Sequence, residues 1–368
     1  MKPAPSSSKS EERIAKTPSR NPVKKTGVRG LITLTLFITG LISPAATATN
    51  PASAITNDDN SAEKTSVALP GVMISHTPVP VHPFVDSAAL QKSKLEIFVS
   101  DAGSNVVYIY NQHGKLLGQL TGLSEPQGIT SDGKGNFYVA DTADNDIKIY
   151  APPYKHAPKV LNDPGQYPTD VSALDDGAFL AVTNIISASG GPGSVTLYKK
   201  GHNGPTISSS DFARMYFCAF DAKGNLYVDG EDASGNFVIG EIPHLTTGGK
   251  KLKTLSYNAT IGFPGGIAVT TGGKIAILDQ EADTIYTFNP PVKGSLGSPI
   301  ATTPLDGASG PATFAFTQSN KDLWTIDAGA DSAAVDEFAY PAGGNPVKTV
   351  PVNEGELIGI AIVPAAKP

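Results

Sequence analysis

A short apolar strand ending in an acidic or turn-forming residue recurs six times along the chain, and this repeat constrains the fold more than any other feature. The last residues of successive copies are 40, 43, 46, 49 and 48 positions apart. The copies are Ile97–Asp101, Phe137–Asp141, Phe179–Asn184, Leu226–Gly230, Ile275–Asp279 and Leu323–Asp327. Such a period predicts a closed or stacked array of equivalent modules.

Each copy has the same strands around it. A second apolar run lies about nine residues before most copies, and a polar turn such as Asp132–Asn136 or Asp221–Asn225 separates the two. Gly- and Asn-bearing turns between apolar runs indicate β-hairpins. A third, alternating strand follows, for example Val106–Tyr110 or Asp146–Tyr150. Four antiparallel strands in each of six units, without a helical period, predict an all-β, six-bladed β-propeller over residues 95–364.

The two ends of the repeat array are complementary. The first unit begins at Leu95 without the inner strand that later units possess, and Leu357–Val363 reads as an inner strand with no continuation. Pairing the two would complete one blade and remove exposed strand edges. We therefore expect the N- and C-terminal strands to share a blade and the last strand to be essential for folding.

The repeats resemble a known family. Pro126–Tyr150 looks like a complete NHL repeat, and Pro264–Thr270 repeats its opening. Units one, two and five keep this pattern closely, whereas unit three departs most, with an inserted Gly/Ser-rich stretch at Ile185–Ser194. The resemblance implies a six-bladed NHL-like propeller, with the regucalcin and gluconolactonase-like group as neighbours of the same shape.

The N-terminus has the three parts of an export signal. Residues 1–30 carry eight basic and two acidic side chains, and a mostly apolar run, Leu31–Ser43, precedes Pro44 and small residues. We predict a signal peptide over 1–48, cleaved after Ala48 or Ala54, and a Pro/Ala/Thr/Ser linker over 49–94. The protein is then secreted, periplasmic or in the cell envelope, and an uncleaved anchor is the alternative.

Charge and cysteine content exclude several classes. The whole chain has a formal charge of −6, so removing the +6 of residues 1–30 leaves about −12, which disfavours nucleic acid as a partner. The single cysteine, Cys218, cannot form an internal disulfide and is predicted to be a buried small hydrophobe. We expect a monomer without a cofactor and without a membrane span after signal cleavage.

Four aspartates close repeat strands: Asp101, Asp141, Asp279 and Asp327, each followed four residues later by Asn or Asp. A ring of metal ligands is one interpretation. The favoured interpretation is structural, because an Asp that ends a strand can accept backbone N–H bonds in a tight turn. The four would also lie in separate blades, so we predict no metal site.

The gluconolactonase-like resemblance implies a divalent cation held at the channel by acidic and amide side chains at the entrances of the inner strands. The corresponding positions are Gln127, Thr169, Tyr216, Gly265, Thr313 and Ile358. None is a carboxylate, and a shift by one residue adds only Asp170, too few for a hard cation.

We therefore predict an exported, non-catalytic binding or scaffold module for a protein, peptide or glycan at its channel face. No catalytic residue is predicted. The ligand-binding candidates are Gln127, Thr169, Asp170, Tyr216 and Thr313. The alternative is a metal-dependent enzyme of the lactonase or lyase type.

Overall fold

The computed structural model describes residues 84–90, 93, 95–174, 177–328, 333–352 and 355–364. Six sheets, each with four antiparallel strands at its centre, form a ring around a channel. The predicted six-bladed β-propeller is confirmed. The predicted signal peptide and the linker up to residue 83 lie outside the described residues.

Blade 1 holds both ends of the described chain. Its first elements are β1 (Phe84–Val85), the four-residue helix α1 (Ser87–Leu90), β2 (Leu95–Asp101), β3 (Val106–Asn111) and β4 (Leu116–Leu120).

Blades 2, 3 and 4 follow in chain order. Blade 2 consists of β5 (Pro126–Ser131), β6 (Phe137–Asp141), β7 (Asp146–Tyr150) and β8 (Lys159–Asn162). Blade 3 consists of β9 (Gln166–Ala173), β10 (Phe179–Ser187), β11 (Ser194–Lys199) and β12 (His202–Ser208). Blade 4 consists of β13 (Arg214–Phe220), β14 (Leu226–Glu231), β15 (Phe237–Ile242) and β16 (Lys253–Thr254), with a 3-10 turn at Leu245–Thr247.

The last two blades and one small parallel pair complete the ring. The pair joins β17 (Ser256–Tyr257) to β21 (Ser295–Gly297) beside the outer strands. Blade 5 consists of β18 (Pro264–Val269), β19 (Ile275–Asp279), β20 (Thr284–Phe288) and β22 (Ala301–Pro304). Blade 6 consists of β23 (Phe314–Phe316), β24 (Asp322–Asp327), β25 (Ala334–Ala339) and β26 (Lys348–Pro351).

The final strand, β27 (Leu357–Pro364), closes the ring. It pairs antiparallel with β2 from Leu95↔Pro364 to Asp101↔Leu357 and becomes the innermost strand of blade 1. The predicted sharing of one blade by the two chain ends is confirmed.

Blade 1 also has a fifth strand, which lies within the segment predicted as a linker. Phe84 pairs with Gln119 and Val85 with Gly118, so β1 covers the outer edge of β4. An exposed strand edge invites pairing with other chains, and this short strand reduces that exposure.

The hydrophobic core lies between the faces of neighbouring blades. Between blades 1 and 2, the rings of Phe98 and Phe137 stack with centroids 4.3 Å apart. Between blades 6 and 1, Trp324 is 1% exposed and belongs to a cluster that includes Ile97 and Ile360. The closing strand therefore contributes apolar surface to the core as well as hydrogen bonds.

Candidate functional site

A central channel of the propeller has a volume of about 800 Å³. The innermost strands of all six blades line it. Turns between first and second strands form its mouth, and Lys134, Thr271, Gln318 and Asn320 lie there. Of the five predicted ligand-binding residues, Asp170 and Thr313 line this channel.

Side chains of one blade hydrogen-bond to the free inner edge of the next. Thr313 Oγ1 donates to the carbonyl oxygen of Ile358 at 2.8 Å and accepts from the N–H of Ile360 at 3.1 Å. Thr169 Oγ1 donates to the carbonyl oxygen of Tyr216 at 3.0 Å. Because an innermost strand has a partner on one side only, these bonds satisfy backbone groups that would otherwise lack one. Both threonines thus have a structural function in the seams between blades.

Asp170 also hydrogen-bonds to the innermost strand of the next blade. Its Oδ2 accepts the N–H of Cys218 at 3.0 Å, and two residues further along the strand Ser172 Oγ accepts the N–H of Phe220 at 3.0 Å. Burial raises the pKa of Asp170 to about 7. Asp170 therefore bonds to the neighbouring blade while it lines the channel, and its protonation can change near neutral pH.

The remaining two candidates have different surroundings. Tyr216 is 2% exposed, and its hydroxyl donates to Glu231 Oε2 at 3.0 Å. Arg214 contacts the same carboxylate oxygen at 3.0 Å. Gln127 is half-buried on β5, and its backbone carbonyl oxygen accepts a bond from Ser100 Oγ at 2.6 Å. Neither residue is among those that line the channel.

The four strand-ending aspartates hold turns, as the structural interpretation predicted. Asp279 Oδ1 accepts the N–H of Glu281 at 3.0 Å, and its Oδ2 accepts that of Gly262 at 3.0 Å. Asp141 and Asp327 likewise accept an N–H from the loop that precedes the first strand of their own blade, at Ser124 and Ser309. Asp101 accepts from Ser104 and Glu356, both at 3.0 Å. The carboxylates of Asp101 and Asp279 thus each bond to two turns of one blade.

A cluster of charged side chains lies in blade 2 among the described residues, and none of its members lines the channel. Lys148 Nζ lies 3.3 Å from Asp141 and Asp144 carboxylate oxygens and 2.6 Å from an Asp146 oxygen. Burial raises the pKa of Asp141 to about 7 despite the lysine. Among the described residues, no three His, Cys, Asp or Glu side chains are grouped so that they could hold a metal ion. The cation implied by the gluconolactonase-like resemblance therefore has no matching donor set in the part of the chain that the structure describes.

Ring closure, blade number and the channel define the class as a six-bladed β-propeller. A chain of a nidogen/laminin complex is similar in fold, with a TM-score of 0.60 and 15% identity over 74% of this chain and 99% of that one. A protein of unknown function from Bacteroides caccae covers the same shares with a TM-score of 0.57 and 15% identity.

A streptogramin B lyase structure is more distant, with a TM-score of 0.45 and 11% identity over 70% of this chain and 74% of that one. No protein-family profile and no curated protein sequence matches this chain. At these identities the likeness establishes the fold alone. The helical segments among the described residues have four and three residues, too few to cross a bilayer.

Proposed function

We propose that this protein is an exported, NHL-like propeller that binds a protein, peptide or glycan at its channel face without catalysis of its own. The observation that carries the proposal is the channel of about 800 Å³, which is large enough for one end of a peptide or a short glycan. Its walls combine alcohol side chains and backbone edges with apolar groups such as Ile267 and Phe316. This mixture suits binding through many weak polar and apolar contacts.

The architecture supports a binding role on general grounds. A closed ring holds its turns rigidly, and turns on a rigid scaffold are where proteins carry recognition sites. The fold occurs in a nidogen/laminin complex, so a propeller of this kind is compatible with a protein assembly. Export follows from the basic and apolar N-terminal pattern, and N-terminal sequencing of the protein recovered outside the cell tests it. A chain beginning at Thr49 or Ile55 supports cleavage.

Binding at the channel is tested with defined probes on the full chain. N-acetylglucosamine oligomers and an immobilised peptide library are screened by thermal shift and by direct binding. Gln318→Trp, at an exposed position of the mouth, should weaken any binding found by narrowing the opening. Ser234→Trp, exposed on the opposite face, is the matched control.

The alternative enzyme gives a different result. The protein would be a lactonase and not a binding module if it met two conditions. It would bind a stoichiometric calcium or zinc ion that raises its melting temperature, and it would hydrolyse D-glucono-1,5-lactone only in the presence of that metal. Equal effects of both tryptophan variants on probe binding would move the ligand site away from the channel mouth.

A further inference from the structure

The blade topology separates the turns onto two faces of the ring. Seam bonds join residues at matching levels of neighbouring innermost strands, for example Ser172 to Phe220 and Thr313 to Ile360. Innermost strands therefore run in the same direction. Turns between first and second strands, and between third and fourth, lie on one face. Turns between second and third strands, and from one blade to the next, lie on the other.

Basic side chains are concentrated on the first of these faces. Of the 16 Lys and Arg residues in the described part of the chain, 14 lie in its turns or at the strand positions next to them. We call these the lysine face. They are Lys115, Lys134, Lys155, Lys159, Lys199, Lys200, Lys223, Lys250, Lys251, Lys253, Lys274, Lys293, Lys321 and Lys348. The same face also holds described acidic residues: Asp132, Asp221 and Asp322 lie in or next to its turns, Glu241 and Glu337 lie opposite Lys253 and Lys348 in the strand pairing, and Asp86 lies 4.0 Å from Lys115.

The opposite face carries the acidic charge. Fifteen described Asp and Glu residues lie in its turns or at the adjacent strand ends, and we call this the acidic face. They are Asp101, Glu125, Asp141, Asp144, Asp146, Asp163, Asp211, Glu231, Asp232, Asp279, Glu281, Asp283, Asp306, Asp327 and Glu356. Among described residues, its basic side chains are Lys148 and Arg214. Although the net charge of the chain is negative, basic side chains are in excess on one face of the ring and acidic side chains on the other.

The kind and distribution of the basic residues indicate the partner. Every one of the six blades contributes at least one lysine, and twelve of the fourteen are exposed. Arginine, whose planar fork suits bidentate recognition of one phosphate or carboxylate, does not occur among the described residues of this face. Mobile point charges spread over a whole disc match a planar anionic surface better than a single anion or a linear polymer in a groove.

Exposed apolar side chains accompany the lysines. Four large apolar residues are exposed among those described, and all lie within two residues of turns that start and end on the lysine face. Val160, Val292 and Val347 are 43%, 70% and 63% exposed and adjoin Lys159, Lys293 and Lys348 in sequence; Ile300 is 51% exposed. Lysine beside an exposed apolar side chain is the combination that interfacial membrane binding uses.

We propose that the lysine face docks the propeller on an anionic lipid bilayer, with the acidic face turned to solvent. The lysine ammonium groups meet lipid phosphates, and the apolar side chains at the turns enter the headgroup region. This docking is peripheral and requires no membrane-spanning segment. The channel mouth opens on this same face, because the turns between first and second strands form it, so docking would compete with a ligand bound at the mouth. Most of the lysines lie in outer turns away from the mouth.

The test compares two variants of the full chain that have the same net charge. The first removes lysines from the lysine face through Lys155→Ala, Lys223→Ala, Lys251→Ala and Lys321→Ala. The second adds acids to the acidic face through Ala143→Glu, Ser210→Glu, Ala233→Glu and Ala282→Glu. All eight positions are exposed, and both sets lower the charge by four. Melting curves verify that both variants fold.

Binding is measured by flotation with vesicles of phosphatidylcholine containing phosphatidylglycerol. We expect the lysine-face variant to bind at least about tenfold more weakly than wild type, because each lysine near an anionic surface contributes to binding. We expect the acidic-face variant to bind like wild type. We expect neither wild type nor either variant to bind vesicles of pure phosphatidylcholine. Equal binding by wild type and both variants would assign membrane affinity to the N-terminal segment and overturn the proposal. Equal loss in both variants, or binding to DNA or an acidic polysaccharide without binding to vesicles, would also overturn it.

Discussion

The carboxylate of Asp170 accepts the backbone N–H of Cys218 at 3.0 Å, although the two residues lie on innermost strands of different blades. The neighbouring amide, that of Phe217, donates to Asp229 Oδ1 at 2.9 Å. Pairing between β13 and β14 shifts register between Met215 and Cys218, which frees these amides from the sheet. Two buried carboxylates thus satisfy consecutive backbone donors at an irregular point of the channel wall.

Removal of the Asp170 acceptor should destabilise the propeller. In Asp170→Ala the N–H of Cys218 stays buried without its partner, which costs about 1–3 kcal/mol in the free energy of unfolding. Asp170→Asn retains an acceptor oxygen and should cost less. Urea denaturation measures both against Asp306→Ala, an exposed aspartate on the acidic face. Equal midpoints for all three variants would contradict the seam function of Asp170.

Stability should decrease as the pH rises towards 8. Burial raises the pKa of Glu96, Asp141, Asp170 and Glu356 to about 7, above the 3.8 or 4.5 of the unfolded groups. Between these values the native state binds protons that the unfolded chain has released, so the free energy of unfolding falls with pH. The urea midpoint should therefore be higher at pH 5 than at pH 8. Glu96→Gln should flatten this dependence, and a midpoint that rises with pH would refute it.

The closing strand should be indispensable. Ile360 is 4% exposed within the cluster between blades 6 and 1, so Ile360→Ala should cost about 2–5 kcal/mol. Ile300→Ala, at a position 51% exposed, serves as the control and should change stability little. A chain that stops at Val352 lacks β27 and should be recovered as aggregate. A soluble, cooperatively melting truncation would show that the ring does not need its closing strand.

The strand-ending aspartates should control local order more than global shape. Asp279 accepts backbone N–H groups from both Gly262 and Glu281. In Asp279→Ala these amides should exchange hydrogen faster, and those of the distant strand β6 should not. Hydrogen-exchange mass spectrometry resolves the two regions. Uniform acceleration over all blades would instead indicate that the carboxylate supports the whole ring.

Cys218 should be unreactive while the protein is folded. Its side chain is 4% exposed, and burial raises the pKa of the thiol well above its ordinary value, which disfavours the nucleophilic thiolate. Ellman's reagent should therefore react quickly in urea and slowly in native buffer. Complete labelling within seconds under native conditions would place the thiol in open contact with the channel.

Fold and closure could be predicted from the sequence because every blade repeats one strand pattern. The predicted strands Phe137–Asp141 and Ile275–Asp279 coincide with β6 and β19. The turn function of Asp279 also followed from its position at the end of a strand. The strand β1 was harder to anticipate, because two residues within a Pro- and Ala-rich segment carry no period.

The channel residues were less predictable for a physical reason. Position along an innermost strand does not say whether a side chain faces the channel or crosses to the next blade. Thr169 and Thr313 are predicted ligand contacts, and the structure shows in addition that both donate to a neighbouring backbone carbonyl. Ser172 is not among the predicted residues, although its spacing of two from Asp170 matches the spacing of their partners, Cys218 and Phe220. That shared spacing was the signal available in the sequence.

The pairing of β2 with β27 also determines when blade 1 can be completed during synthesis. The two strands begin at Leu95 and Leu357, so the ribosome must make more than 250 further residues before β2 meets its mate. Throughout that interval the other five blades can assemble while one flank of the first remains uncovered. The inner edge of β2 can then pair either with β27 of its own chain or with β27 of a neighbouring chain. High expression raises the local concentration of nascent chains, which favours the intermolecular pairing and aggregation.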